Sequence, residues 1–156
     1  MSNVMFFDKN KLSEKSTYTI DPYVGLSSYL YDRLNTPIVS SNGYNNDAST
    51  WTITVTFEAT VTIDVMIIDG INATGVIEAY IGSAWTNIAT ISTSYKTFFK
   101  KLNSEISTNS IRIKLTNTGS NSEKTISEII FTKMIGQLEK NPTRIESKLS
   151  ESSKVH

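Results

Sequence analysis

Between positions 51 and 68 the chain reads WTITVTFEATVTIDVMII, and every odd position from Trp51 to Ile67 is apolar. The even positions from Thr52 to Asp64 are five threonines, one glutamate and one aspartate. Period two of this kind belongs to strands with one face in a core and the other in water. Unbroken, the run would reach roughly 55 Å, several times an ordinary strand. A bend or break is therefore expected at Glu58-Ala59-Thr60, dividing the run into two strands of a sandwich.

The same pattern recurs along the chain. Short apolar stretches at 4–7 and 17–20 read as entry strands. Residues 75–81 and 84–91 form a hairpin around the tight turn Gly82-Ser83. A Ser/Thr loop leads to Phe98-Phe99-Lys100-Lys101-Leu102, and Ile111, Ile113 and Leu115 alternate with Arg112 and Lys114. Residues 125–135 read as the last strand, after a polar loop at 117–124. Asp21-Pro22, Asn35-Thr36-Pro37, Asn42-Gly43 and Asn45-Asn46-Asp47 favour turns, and 27–34 suits one short helical turn. Strands about every ten residues with turn signals between them predict an all-β antiparallel sandwich or jelly roll. That domain spans 1–135. From Gly136 the chain turns polar, and 136–156 forms an extension in which Asn141-Pro142 suits a helix start, with Ile145 and Leu149 on one face. So narrow a stripe does not hold a helix alone, which predicts a partner-binding arm.

Composition narrows the chemistry. Lys plus Arg and Asp plus Glu are 15 each, so no net field draws a polyanion, and nucleic acid is not an expected partner. The chain has no cysteine and a single histidine, His156. Disulfides, thiolate metal sites, Ser-His-Asp catalysis and histidine-ligated zinc are thereby excluded. The first residues, MSNVMFFDKNKLSEK, carry a four-residue apolar run and no basic leader, so neither a secretory signal nor a membrane span is expected there.

From position 30 to 130 the order of elements resembles the galactose-binding-like sandwich, the discoidin or coagulation-factor type C group that includes many carbohydrate-binding modules. The resemblance rests on Tyr31-Asp32-Arg33-Leu34-Asn35-Thr36, on SSNGYNNDAS followed by TWTITVTF, and on IDVMIIDGIN. It continues through the hairpin VIEAYIGSAWTNIATI, the strand IRIKL and the closing Ile126-Ser127-Glu128-Ile129. It implies a galactose-binding-like fold and a structural calcium held by Asp32, Thr36 and Glu128, hard oxygen ligands of the type calcium requires.

Sugar-binding modules of this kind use aromatic faces and planar polar side chains in loops at one end of the sandwich. Tyr44, Asn45, Asn46 and Asp47 lie in one such loop, Asn117 and Asn121 in another, and Tyr95 in a third. The ordinary alternative for each is a turn residue or a tyrosine rimming the core. Trp85 beside its turn is a further stacking candidate, against the commoner role of packing on the sheet. Glu58, Asp64, Asp69 and Glu78 are the carboxylates available for glycoside hydrolysis; solvated strand carboxylates are the ordinary reading, and no enzyme is predicted. Virion and tail proteins of phages frequently resemble this family. The neutral, cysteine-free chain is therefore expected to be a virion-associated sandwich assembled in a bacterial cytoplasm. Its expected partners are other virion proteins or glycans, with homo-oligomers formed through 136–156. The alternative is a stand-alone carbohydrate-binding or adhesion module of a bacterial surface or secreted protein.

Overall fold

The structure, a computed structural model, describes residues 4–12, 15–21, 39–41, 50–92, 97–116 and 124–138. These residues form ten strands: β1 (Met5–Phe7), β2 (Thr17–Asp21), β3 (Val39–Ser41), β4 (Thr50–Asp69), β5 (Thr74–Ile81), β6 (Ala84–Ile91), β7 (Thr97–Thr116), β8 (Lys124–Ile126), β9 (Glu128–Thr132) and β10 (Met134–Gln137). All pairings are antiparallel. The main sheet runs β2-β4-β7-β5-β6, and β9 joins β4 beyond the stretch taken by β2; β1 pairs with β10 and β3 with β8. Among the described residues no helix is long and apolar enough to cross a membrane.

The alternating run does not divide into two strands. It is one strand of 20 residues, β4, and the bend falls where the sequence placed it. Thr56 pairs with Ser110 and Val61 with Thr108, so five steps along β4 match two along β7. The surplus is Glu58-Ala59-Thr60, all three exposed. Further on, Ile63 pairs with Ile106 and Val65 with Lys101, so the surplus now lies on β7, at the exposed residues Asn103, Ser104 and Glu105. The two bulges cancel, and the ladder returns to its original register. Bulges of this kind kink a strand and raise its twist.

The kink is large. Nine extended residues would separate Phe57 from Met66 by roughly 30 Å. The Phe57 ring nonetheless meets the Phe131 ring at 6.1 Å, and Phe131 is the cross-strand partner of Met66. The far half of β4 therefore folds over the near half, and this overlap makes the sandwich. Trp51, Ile53, Val55, Ile77, Ile111 and Ile113 line the core from one layer; Met66, Ile68, Ile129 and Phe131 line it from the other.

The strict odd-position pattern fails at its end: Met66 and Ile68 are fully buried in the core, while Ile67 is only half-buried. The β7 bulge shifts which side chains face inward. Residues 103–110, which carry no apolar alternation, are nonetheless strand, because β7 runs unbroken through its exposed bulge. The single closing strand expected at 125–135 is three, interrupted at Ser127 and Lys133. Residues 4–12 run beside β9 and β10, with the Asp8 N–H donating to the Lys133 carbonyl (2.8 Å), Lys11 N–H to Phe131 (2.7 Å) and Leu138 N–H to Val4 (2.9 Å). That cover also corrects Asp64, which is 8% exposed rather than solvated. Its Oδ1 accepts the Met134 N–H at 2.7 Å, and Oδ2 lies 3.5 Å from Lys101 Nζ.

The β5–β6 hairpin turns at Gly82 (φ 58°) and Ser83 (φ 70°). Two successive positive φ values match the twist of the flanking strands, as a type I′ turn requires. The partner of Ile77 is Ala89 and that of Glu78 is Asn87, so Ile88 is a one-residue bulge. Since β6 is the sheet edge, the bulge interrupts what would be a flat, uncharged strand open to edge pairing.

Candidate functional site

Two cross-strand pairs define one rim of the sandwich. Ser41 pairs with Lys124, and Thr50 pairs with Thr116. Segment 42–49 connects Ser41 to Thr50, and segment 117–123 connects Thr116 to Lys124. Both therefore start and finish at the same two pairs. Tyr44, Asn45, Asn46 and Asp47 belong to the first segment, and Asn117 and Asn121 to the second; these six residues themselves lie outside the described residues. Thr116 also pairs with Thr74, their hydroxyl oxygens 3.2 Å apart. Only four residues, 70–73, connect Thr74 back to Asp69, so Asp69 lies at the same rim. Tyr95, also outside the described residues, precedes Thr97, the partner of Asp69.

On the outward side of the second layer three strands place their side chains in rows. Thr97 of β7, Asp69 of β4 and Glu128 of β9 form the outermost row; Phe99, Ile67 and Ile130 form the next. Directly opposed residues of antiparallel strands point to one face with Cβ atoms about 5 Å apart. Thr97 Oγ1 donates to Asp69 Oδ1 at 2.6 Å. Ile67, Asp69, Thr97, Glu128 and Ile130 line a recess of about 210 Å³. A hollow of about 380 Å³ lined by Ser92, Thr97, Phe98 and Phe99 shares Thr97 with it. Phe99 stays 45% exposed, and the Phe7 ring lies tilted against it with centroids 6.4 Å apart.

Gly70 closes this rim against β8 and β9. Its φ is +68°, and a Cβ there would meet Ser127 Oγ at 2.0 Å, while the Ser127 N–H donates to the Asp69 carbonyl at 2.8 Å. The tight approach fixes Glu128, the next residue, opposite Asp69. Asp32 and Thr36, the other two residues of the expected calcium set, lie outside the described residues. Among the described residues no three His, Asp or Glu side chains come together as a metal cluster.

Trp85 stands apart from the rim. Its cross-strand partner is Tyr80, six residues along β5 from Thr74 and so roughly 20 Å away. The Trp85 and Tyr80 rings meet edge to face at 5.4 Å, and the Arg112 guanidinium lies 4.4 Å from the Trp85 ring centre. Arg112 Nε also donates to Glu78 Oε2, and Lys114 Nζ is 3.6 Å from the same oxygen. The Arg112 hydrogen bond, against the opposing effect of burial and helped by the charges of Arg112 and Lys114, holds the Glu78 carboxyl below its ordinary value of 4.5. This outer face continues across β4 as Thr52, Thr54 and Thr56, paired with Lys114, Arg112 and Ser110.

The four carboxylates nominated for hydrolysis are dispersed among separate contacts. Glu58 pairs with Lys15 at 3.1 Å, Glu78 with Arg112, Asp64 with the Met134 N–H, and Asp69 with Thr97. Thr97 and Phe99 carried no sequence signal of their own. Parity would have placed both on one face, but only the strand register brings them beside Asp69 and Glu128.

Neither a family model nor a curated protein sequence matches the chain. Solved structures do match its fold. A carbohydrate-binding module of Clostridium perfringens, CpGH89CBM32-6, matches with a TM-score of 0.57 and 14% identity, over 80% of this chain and 98% of that one. The CBM32 of AlyQ in complex with 4,5-unsaturated mannuronic acid matches with a TM-score of 0.57 and 20% identity, over 74% of this chain and 92% of that one. A GH29 fucosidase of Ruminococcus gnavus matches with a TM-score of 0.62 and 18% identity, over 81% of this chain. The match spans only 27% of that fucosidase chain. At these identities what is shared is the fold: this chain is an antiparallel, galactose-binding-like β-sandwich.

Proposed function

We propose that this chain is a non-catalytic carbohydrate-recognition module that holds glycan at its loop-bearing rim and works at a cell surface or outside the cell. The observation that carries the reading is the shared anchoring of segments 42–49 and 117–123 on Ser41–Lys124 and Thr50–Thr116. Those segments contribute Tyr44, Asn45, Asn46, Asp47, Asn117 and Asn121, aromatic and planar polar side chains of the type that recognise sugar rings. The fold shared with carbohydrate-binding modules supports the same reading, and fold alone does not assign function. A calcium ion held by Glu128 with Asp32 and Thr36 would brace the rim; oxygen donors of this kind suit that ion. The virion-associated role expected first from the sequence, with oligomers formed through 136–156, draws no support from the solved structures named above, which favour the stand-alone module.

A glycan array run on the full chain, once with calcium and once with chelator, tests the proposal. Binding confined to a class of sugars is expected, with Asn45→Ala and Asn121→Ala each weakening it. Calcium is expected to raise the melting temperature, and Glu128→Gln to abolish that rise. Absence of binding to every glycan under both conditions overturns the recognition reading.

A further inference from the structure

We propose that the outer face of the β1–β10 ribbon is a docking surface for residues 139–156 of the same chain, seated through Ile145 and Leu149. The proposal goes beyond the carbohydrate-recognition reading and does not depend on it. Six large apolar side chains are exposed among the described residues, and four of them, Val4, Phe6, Ile135 and Leu138, lie in or directly beside these two strands. Phe6 is 49% exposed and Ile135 68%. Phe6 pairs with Gly136, and the Leu138 N–H donates to the Val4 carbonyl at 2.9 Å, so Val4, Phe6, Gly136 and Leu138 share one side. Met5 and Phe7 point the other way and are half-buried, with the Phe7 ring against Phe99. Ile135 is the residue left out of the pairing where the register steps from Gly136 to Met134. The inner side of the ribbon therefore packs on the sandwich, while its outer side is apolar and uncovered among the described residues.

Gly136 marks the same side. Glycine weakens a strand interior and signals a bulge, a bend or the close approach of another group. Gly136 has no positive φ, the unpaired residue is Ile135, and an added Cβ would meet only Phe6 Cδ2, at an ordinary 3.8 Å. Nothing among the described residues requires glycine there. Its missing side chain leaves a gap beside the Phe6 ring, open to a side chain laid over the ribbon.

Size and sequence identify the occupant. Four partly exposed side chains fall well short of the roughly 800 Å² that each partner of a stable dimer buries. A narrower guest continues directly from Leu138: in residues 139–156 the only large apolar side chains are Ile145, Leu149 and Val155. Asn141-Pro142 favours a change of direction close to the ribbon. On a helix starting at Pro142, Ile145 and Leu149 would lie one turn apart on one side, about 6 Å. Val4 and Phe6, two residues apart on one strand, are separated by about 7 Å. Two side chains of the guest thus meet two rows of the patch. The stripe alone is too narrow to hold a helix, and the ribbon alone leaves Phe6 in water. The arm expected from the sequence to bind a partner therefore binds its own chain.

Limited trypsin digestion of the full chain, read by mass spectrometry, tests this at the bonds after Arg144 and Lys148. Docking is expected to slow their cleavage at least about tenfold relative to the Ile145→Ser/Leu149→Ser variant. Phe6→Ser is expected to restore fast cleavage. Gly136→Val is expected to do the same with the ribbon intact, because its Cβ has room and its branches fill the gap. On a face open to water, valine would instead raise the melting temperature through its strand preference and leave cleavage unchanged; that result overturns the proposal. Equal cleavage in the wild type and in Ile145→Ser/Leu149→Ser also overturns it. Cleavage that responds to the segment variant but to neither ribbon variant puts the segment elsewhere and overturns the surface. Protection that vanishes on dilution, together with a dimer in sedimentation velocity, makes a second copy the occupant and overturns docking within one chain.

Discussion

Gly75 is a backbone position that only glycine can occupy, and its replacement gives a quantitative test of the strand packing. It pairs with Leu115 on one side and Ile91 on the other, so β5 is clamped there between β7 and β6. A Cβ at this position would lie 2.0 Å from the Lys114 carbonyl oxygen, 2.9 Å from its carbonyl carbon and 3.0 Å from Leu115 Cα. Ordinary contact begins at 3.4 Å. The obstruction is backbone, which cannot rotate away, so β5 and β7 must part by more than an ångström at the rim. Ladder hydrogen bonds flanking the site stretch with them. Two such bonds at about 1 kcal/mol each, plus about 1 kcal/mol of overpacking, give Gly75→Ala a cost of about 3 kcal/mol. Gly82→Ala is the internal control: its φ is +58°, and nothing lies within 4 Å of the added Cβ. That substitution carries left-handed strain alone, about 1 kcal/mol. Urea denaturation followed by tryptophan fluorescence separates the two. With a slope of about 1.5 kcal/mol/M, Gly75→Ala lowers the midpoint by about 2 M and Gly82→Ala by less than about 1 M. Equal midpoint shifts would refute the close-approach argument.

Three further outcomes are expected. Glu78 is depressed below its ordinary 4.5, so its contribution is fully present above that pH and is lost as pH falls through the folded value. Glu78→Gln should cost about 1–2 kcal/mol in urea midpoints at neutral pH, and progressively less as the pH is lowered through the folded value of the wild-type carboxyl. Ser83→Gly relieves a φ of +70° and should raise the melting temperature by a few degrees, about 0.5 kcal/mol or more. Trp51 Nε1 is buried with no hydrogen-bond partner among the described residues. Trp51→Phe discards that orphan donor while leaving a small void, so it should shift stability by no more than about 1 kcal/mol, against about 3–5 kcal/mol for Trp51→Ala.

Much of the core was legible because one face of β4 sees only the sandwich interior. Trp51, Ile53, Val55, Phe57 and Ile63 are all buried, as their odd positions require. The pattern stops informing at Val65-Met66-Ile67-Ile68, where four consecutive apolar residues satisfy either parity. The bulge on β7 and the cover from residues 4–12 and 134–138 decide which way they point. Asp64 misled for a related reason: a carboxylate on the polar face of a strand becomes buried when distant parts of the same chain are laid across it. At the rim, the turn-forming composition of 42–49 and 117–123 was visible, but their common anchoring depends on the Ser41–Lys124 register. Nothing local in either segment specifies that pairing. Thr97 and Phe99 were invisible for the same reason, since a site made across three strands exists only once the strands are aligned.

The distribution of charge on the outer sheet face disfavours it as a place to hold a ligand. Trp85, Tyr80, Arg112 and Lys114 together form the most obvious aromatic and cationic surface, and an acidic sugar would be its natural guest. Both cations, however, lie against Glu78 Oε2, and Arg112 is additionally laid over the Trp85 ring. An incoming carboxylate would have to compete with Glu78 for Arg112 and would leave a largely buried glutamate short of its partners, a cost of about 1–3 kcal/mol before any gain. Stacking on Trp85 meets the same obstacle, because Arg112 already lies over that ring. The sheet-face cluster therefore consumes its own binding capacity in holding β5, β6 and β7 together.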